Sequence, residues 1–130
     1  RERVFILASI DGQTLKAPLP THGEGNGLEP YHTAWDAIGD LDKEDWPLEL
    51  EVTGKWAALL RSIPEGKNYL WHTPRGGGEP LFGWRTRYWS FLLKLSKRHP
   101  SWTIQAEPGP ATGPFHWRNR MLSIEELARV

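Results

Sequence analysis

The chain has 130 residues, with 16 Lys and Arg against 16 Asp and Glu, and no Cys. That is the length of one domain, able to bury a core without metal or disulfide, and the missing Cys excludes a disulfide scaffold, a thiolate zinc site and a cysteine nucleophile within these residues. The longest apolar run, residues 4–8, falls far short of the roughly 18 residues a membrane span needs, and no basic-then-apolar leader is present, so the expected address is cytoplasmic.

Residues 4–8 (Val-Phe-Ile-Leu-Ala) are continuously apolar, which predicts a strand covered on both faces. Asp11-Gly12 is a turn signal, and residues 13–19 predict a returning strand. Pro18, Pro20, Pro30, Gly23, Gly25 and Gly27 make residues 18–32 an exposed loop. Thr33 then reads as the N-cap of a helix with Asp36 three residues on, its buried stripe being Ala34, Ala37, Ile38 and Leu41. In a second helix, Trp56, Leu59, Leu60 and Ile63 share one face and Pro64 is the stop.

Residues 65–83 are Gly-rich and irregular, including Arg75-Gly-Gly-Gly78. A third helix is predicted over residues 87–98, with Tyr88, Phe91, Leu92 and Leu95 on its apolar face and Arg87, Lys94 and Arg98 on a basic one. The prolines of residues 107–114 exclude regular structure there. At the end, Ser123 and Glu126 form a capping box stapled by Leu122 and Leu127. A helix of about two turns is marginal unaided, so a continuation is expected after it.

The zero net charge hides a split. Residues 1–65 carry 6 basic and 12 acidic side chains, whereas residues 66–130 carry 10 and 4. Either the second half meets an anionic partner or the two halves pair with one another. The chain also holds eight Trp; most are expected in the core, with one or two as exposed stacking faces. The five His show no metal-ligand spacing and read as structural. Arg75-Gly-Gly-Gly78 lacks the Lys-Ser/Thr and the strand–loop–helix setting of a phosphate-binding loop. Asp36, Asp40, Asp42, Glu44 and Asp45 could serve a small hydrolase, but a run of neighbouring carboxylates reads first as a solvated face.

The two ends carry a more specific signal. Arg1-x-Arg3 followed by Val-Phe-Ile-Leu resembles the latter part of the Gln-x-Arg-x-Arg signature of DNA cytosine-5 methyltransferases. Arg120-x-Leu122-Ser123-x-x-Glu126-x-x-Arg129-Val resembles the opening of their ninth motif, which would continue into Gln-x-Phe-Pro. Between these motifs the family places its target recognition domain, whose variable region ends in a Thr-Leu or Thr-Ile pair, matched by Thr103-Ile104. Gly113-Pro114 to Asn119-Arg120 is also similar to the family's run before the ninth motif.

The resemblance implies a strand left over from the catalytic domain (1–9), a target recognition domain (10–119) and the start of the ninth-motif helix (120–130). It implies an α+β fold, small and loop-rich, with short strands and two or three helices. The implied function is reading double-stranded DNA around a flipped cytosine in a restriction–modification system, without catalysis by this chain alone. S-adenosylmethionine is implied for the full-length enzyme and no cofactor for this chain, since the glycine-rich cofactor loop, the Pro-Cys nucleophile and the Glu-Asn-Val acid lie upstream in the family pattern. Arg1 and Arg3 become supporting catalytic residues.

Phosphate contacts need Lys, Arg, Thr and free backbone donors, while base reading favours Arg on guanine and Asn or Gln on adenine. The DNA-binding candidates are therefore Arg75, Arg85, Arg87, Lys94, Thr103, Arg118, Asn119 and Arg120, with Lys67 and Asn68 also on Gly-rich loops. Arg75, flanked by Pro74 and three glycines, is the leading base reader. Expected partners are duplex DNA, the catalytic domain of the same polypeptide and, through an exposed edge of the first strand, a second copy of the chain. No metal and no membrane are expected. The competing class is a glycan-binding module using the tryptophans as a stacking platform.

Overall fold

The computed structural model describes residues 4, 6–106 and 109–130, with only the backbone of Thr86. Arg1 and Arg3 therefore lie outside the described residues. The chain divides into two compact units, Arg1–Pro30 and Tyr31–Val130.

In the first unit neither expected strand forms among the described residues. Val4 and Ile6 are 90% and 89% exposed. An apolar run becomes a strand only where a neighbour takes up its backbone groups, and none does so among the described residues. Among those residues the expected homodimer consequently has no strand edge to start from. The turn after Asp11 is present, with Gly12 at φ +73°. Further on, Gly23 N–H donates to Glu29 O (3.0 Å) and Glu29 N–H to Thr21 O (2.9 Å), closing a small loop around Gly27 at φ +83°.

The second unit holds three short α-helices: α1 (Ala34–Ile38), α2 (Ala57–Ser62) and α3 (Ile124–Arg129). Both expected capping boxes are built. Thr33 Oγ1 accepts from Asp36 N–H while Asp36 accepts from Thr33 N–H, and Ser123 and Glu126 repeat the arrangement. No helix among the described residues is long and apolar enough to cross a membrane.

The helix expected over residues 87–98 is the main correction. Only a single 3-10 turn forms, Thr86–Tyr88, and the chain then passes through turns at residues 89–90 and 92, with single bridges at Phe91 and Lys94. Leu92, Leu93, Lys94 and Leu95 are all buried in succession, which no one-sided helix allows. Their backbone is taken up from two directions. Tyr69 N–H donates to Phe91 O (3.1 Å) and Lys94 N–H to Lys67 O (2.9 Å) on one side. On the other, Leu92 N–H donates to Ala111 O (2.9 Å) and Leu95 N–H to Phe115 O (2.8 Å). Leu92 sits at φ +52°, a left-handed conformation that costs about 1–2 kcal/mol and is incompatible with a helix. Strand pairing in the described residues amounts to isolated bridges, among them Phe91 with Thr112, Lys94 with Phe115 and Glu51 with Arg120. The β component of the expected fold is thus reduced to single pairings inside a loop-rich body.

Two apolar clusters hold this body. Val52, Leu60, Ile63, Tyr69, Leu92 and Phe115 form one; Ala34, Ile38, Leu95, Trp117 and Leu122 form the other. Residues 91–95 feed both, through Leu92 and Leu95. Gly113 is needed where this segment meets residues 111–115, because a Cβ there would lie 2.1 Å from Leu93 O. Of the tryptophans only Trp117 is buried, while Trp35, Trp84 and Trp102 are exposed, more surface indoles than expected.

Candidate nucleic-acid interface

The expected basic residues separate into an anchored group and a free one. Arg120 is 3% exposed and Glu126 1%, and the guanidinium donates to both carboxylate oxygens at 2.7 Å. Glu126 also accepts from Ser123 N–H at 2.8 Å. Burial alone would raise the Glu126 carboxyl, but Arg120 and the Ser123 amide more than offset it and hold it below the usual range.

His116 completes this cluster. Its Nδ1 accepts from Arg118 N–H at 3.1 Å, so the neutral ring carries its proton on Nε2, which lies 3.4 Å from Glu126 Oε1 and 3.9 Å from Asp42 Oδ1. Burial, aided by Arg120, pushes its pKa down from 6.5 to about 4. Arg118 donates from Nε and Nη2 to Asp42, and Arg129 holds Asp40 at 2.7 Å. The acidic stretch is therefore more than a solvated face: Asp40 and Asp42 tie the acidic half of the sequence to its basic half. Asn119 stands at φ +64° and donates its N–H to His116 O (3.0 Å), a left-handed turn position that Asn tolerates.

Lys94 is 3% exposed and its Nζ donates to Ile63 O. Burial lowers its pKa to about 8, partly countered by Glu65. With no helix beneath it, the expected basic face of Arg87, Lys94 and Arg98 does not exist. Lys94 and Arg120 thus keep their charge inside the protein. Asn68, another candidate, instead caps the turn Tyr69–His72 by accepting from Leu70 N–H, and donates to Trp89 O at 2.6 Å.

The free group lies on the loops around residues 73–90. Arg75, Arg85 and Arg87 are exposed, and none is ion-paired with an acidic side chain among the described residues. The glycines beside Arg75 serve close packing rather than looseness. A Cβ on Gly76 would lie 2.1 Å from Trp71 O, and one on Gly77 2.3 Å from the Trp71 ring. Gly78 N–H donates to Trp71 O (3.0 Å), and His72, with its proton on Nδ1, donates to Glu79 O at 2.9 Å. Arg75 therefore stands at the tip of a fastened loop, its guanidinium 4.9 Å from the Trp84 ring centre.

Next along the chain, Tyr69 OH donates to Arg85 O and pins that segment to the core. Tyr88 separates two clefts. One, of about 310 Å³, is lined by Tyr69, Phe82, Arg85 and Phe91. The other, of about 470 Å³, is lined by Arg87, Trp89, Ser90, Gln105 and Thr112. Inside it Gln105 Nε2 donates to Ser90 Oγ at 3.1 Å. Trp89 packs against Trp102 with ring centres 5.7 Å apart, and Thr103 is exposed beside it.

Arg75, Arg85, Arg87 and Thr103 are thus exposed, as are Trp84, Tyr88 and Trp102, whereas Arg118, Asn119 and Arg120 belong to the anchoring cluster. Ser90 and Gln105, which line the larger cleft, are not among the residues singled out from the sequence.

No protein-family model and no solved structure matches the chain. Curated relatives do. The chain is 42% identical to the type II methyltransferase M.SacI of Streptomyces achromogenes, over 99% of its own length and 35% of that protein's. It is 33% identical to M.NgoFVII of Neisseria gonorrhoeae, over its full length and 35% of that protein. With M.BsuRI of Bacillus subtilis the identity is 30%, again over the full chain and 27% of the relative. Similarity to type II methyltransferases therefore runs along the whole chain, which spans about a third of these relatives' own length.

Proposed function

We propose that this chain is the target recognition segment of a DNA cytosine-5 methyltransferase, holding duplex DNA against the loops that carry Arg75, Arg85 and Arg87. The single observation that carries this reading is the separation of the arginines. Those near the C-terminus are consumed by Asp40, Asp42 and Glu126, while the three on the loops are exposed, Arg75 beside the Trp84 ring and Arg87 beside Tyr88. Exposed guanidinium groups with no ion pair among the described residues suit phosphate contacts and bidentate reading of guanine. The similarity to type II methyltransferases supports the same partner.

Methyl transfer by the whole protein, with S-adenosylmethionine as donor, belongs to this proposal too. The glycine run of this chain does not fit that cofactor, because Trp71 fills the space beside Gly76, Gly77 and Gly78. The isolated chain should show no methyl transfer.

The test is a panel of duplexes altered one base pair at a time, presented to the full-length protein and its Arg75→Ala variant. The variant should lose about 1–3 kcal/mol of preference at one position and keep the others. Binding that is insensitive to salt and sequence, together with a tryptophan fluorescence response to oligosaccharide, would sink the DNA reading in favour of a glycan module.

A further inference from the structure

We infer that Gln105 reads an adenine, held in position for that task by Ser90. This rests on the DNA-binding reading above and adds to it a residue and a base. Gln105 lines the cleft of about 470 Å³, whose rim carries exposed Arg87 and Tyr88. One N–H of its amide is taken by Ser90 Oγ at 3.1 Å. That bond fixes the plane of the amide and leaves its carbonyl oxygen and second N–H for a ligand.

An acceptor and a donor side by side match the N6 amino group and N7 of adenine. Guanine presents two acceptors, O6 and N7, and would set O6 against the Gln105 oxygen. Thymine offers an acceptor and a methyl group, and cytosine a donor alone, so neither satisfies both halves of the amide. Ser90 is itself fixed, since its carbonyl accepts from Gly113 N–H at 2.8 Å and from Leu93 N–H at 3.3 Å. Arg87 at the rim supplies positive charge for a neighbouring phosphate, which brings the base edge to the cleft without specifying it.

The experiment uses the full-length protein and duplexes in which each adenine of the recognised site is replaced in turn by 7-deazaadenine, which pairs normally but lacks the N7 acceptor. At one position the substitution should weaken wild-type binding on the order of tenfold or more. The same duplex should bind Gln105→Ala no worse than the unmodified one does. Ser90→Ala should show a reduced penalty at that position, because the amide is freed to rotate. A recognised site containing no adenine overturns the inference, as does a 7-deazaadenine penalty of equal size in wild type and Gln105→Ala. Wild-type protein that binds DNA without any sequence preference overturns the underlying reading instead, so the two failures are distinguishable.

Discussion

Glu126→Gln tests the buried cluster most directly, because it removes a charge while keeping the shape of the side chain. Arg120 is 3% exposed, and besides one bond to Met121 O its guanidinium donates twice to Glu126, the charge it faces. After the change its guanidinium stays buried without a counter-charge. Removing one partner of a buried pair costs about 3–5 kcal/mol. The lower end applies, since an amide oxygen still accepts from Ser123 N–H. With an unfolding entropy near 2.1 cal/mol/K per residue, a chain of this length should lose about 10 °C or more in Tm.

Thermal unfolding followed by near-ultraviolet circular dichroism reads this directly. Glu126→Leu combined with Arg120→Met should recover most of the loss, because it removes both charges from the interior. An unchanged Tm for Glu126→Gln would refute the reasoning, and so would a double variant worse than the single one. The wild-type pH profile gives a second reading. His116 has its pKa lowered from 6.5 to about 4, so the unfolded chain binds the extra proton in that window and stability falls as pH drops through it. Below the ordinary carboxylate range the depressed Glu126 adds a second loss.

Lys94→Met should stabilise the protein at pH 7 and leave the salt dependence of DNA binding unchanged, the opposite of what a phosphate-contacting lysine would do. In wild type, stability should rise between pH 8 and 10.5, because the unfolded chain holds more protons there than a fold that lowers Lys94 to about 8; Lys94→Met should abolish this slope in urea titrations. Gly77→Ala places a Cβ 2.3 Å from the Trp71 ring and should cost about 1–3 kcal/mol by overpacking, read as a lowered urea midpoint. Phe115→Ala, at a fully buried position of the larger apolar cluster, should cost about 3–5 kcal/mol in the same measurement.

Local chemistry was legible in the sequence wherever a few adjacent residues decide the outcome. Thr33 with Asp36 and Ser123 with Glu126 satisfy helix-end donors within four residues, so both capping boxes were readable without the fold. The helix stopped by Pro64 was readable from its apolar spacing in the same way. The end motifs placed the chain among methyltransferases for a related reason: Arg120 and Glu126 lie close enough in sequence for their spacing to be visible before their buried ion pair is.

Long-range pairing decided the rest. Residues 91–95 carry a helical apolar spacing, yet their backbone groups are claimed by residues 67–69 on one side and 111–115 on the other, partners that no local window contains. The same holds for charge. Whether an arginine is free or consumed depends on carboxylates far along the chain, Asp42 for Arg118 and Asp40 for Arg129, and composition cannot separate these from Arg75. Sequence alone therefore determined the caps, the α2 helix and the kinship. Only the tertiary structure decided which basic residues face outward, because burial and ion pairing are set by segments that meet in space rather than in order.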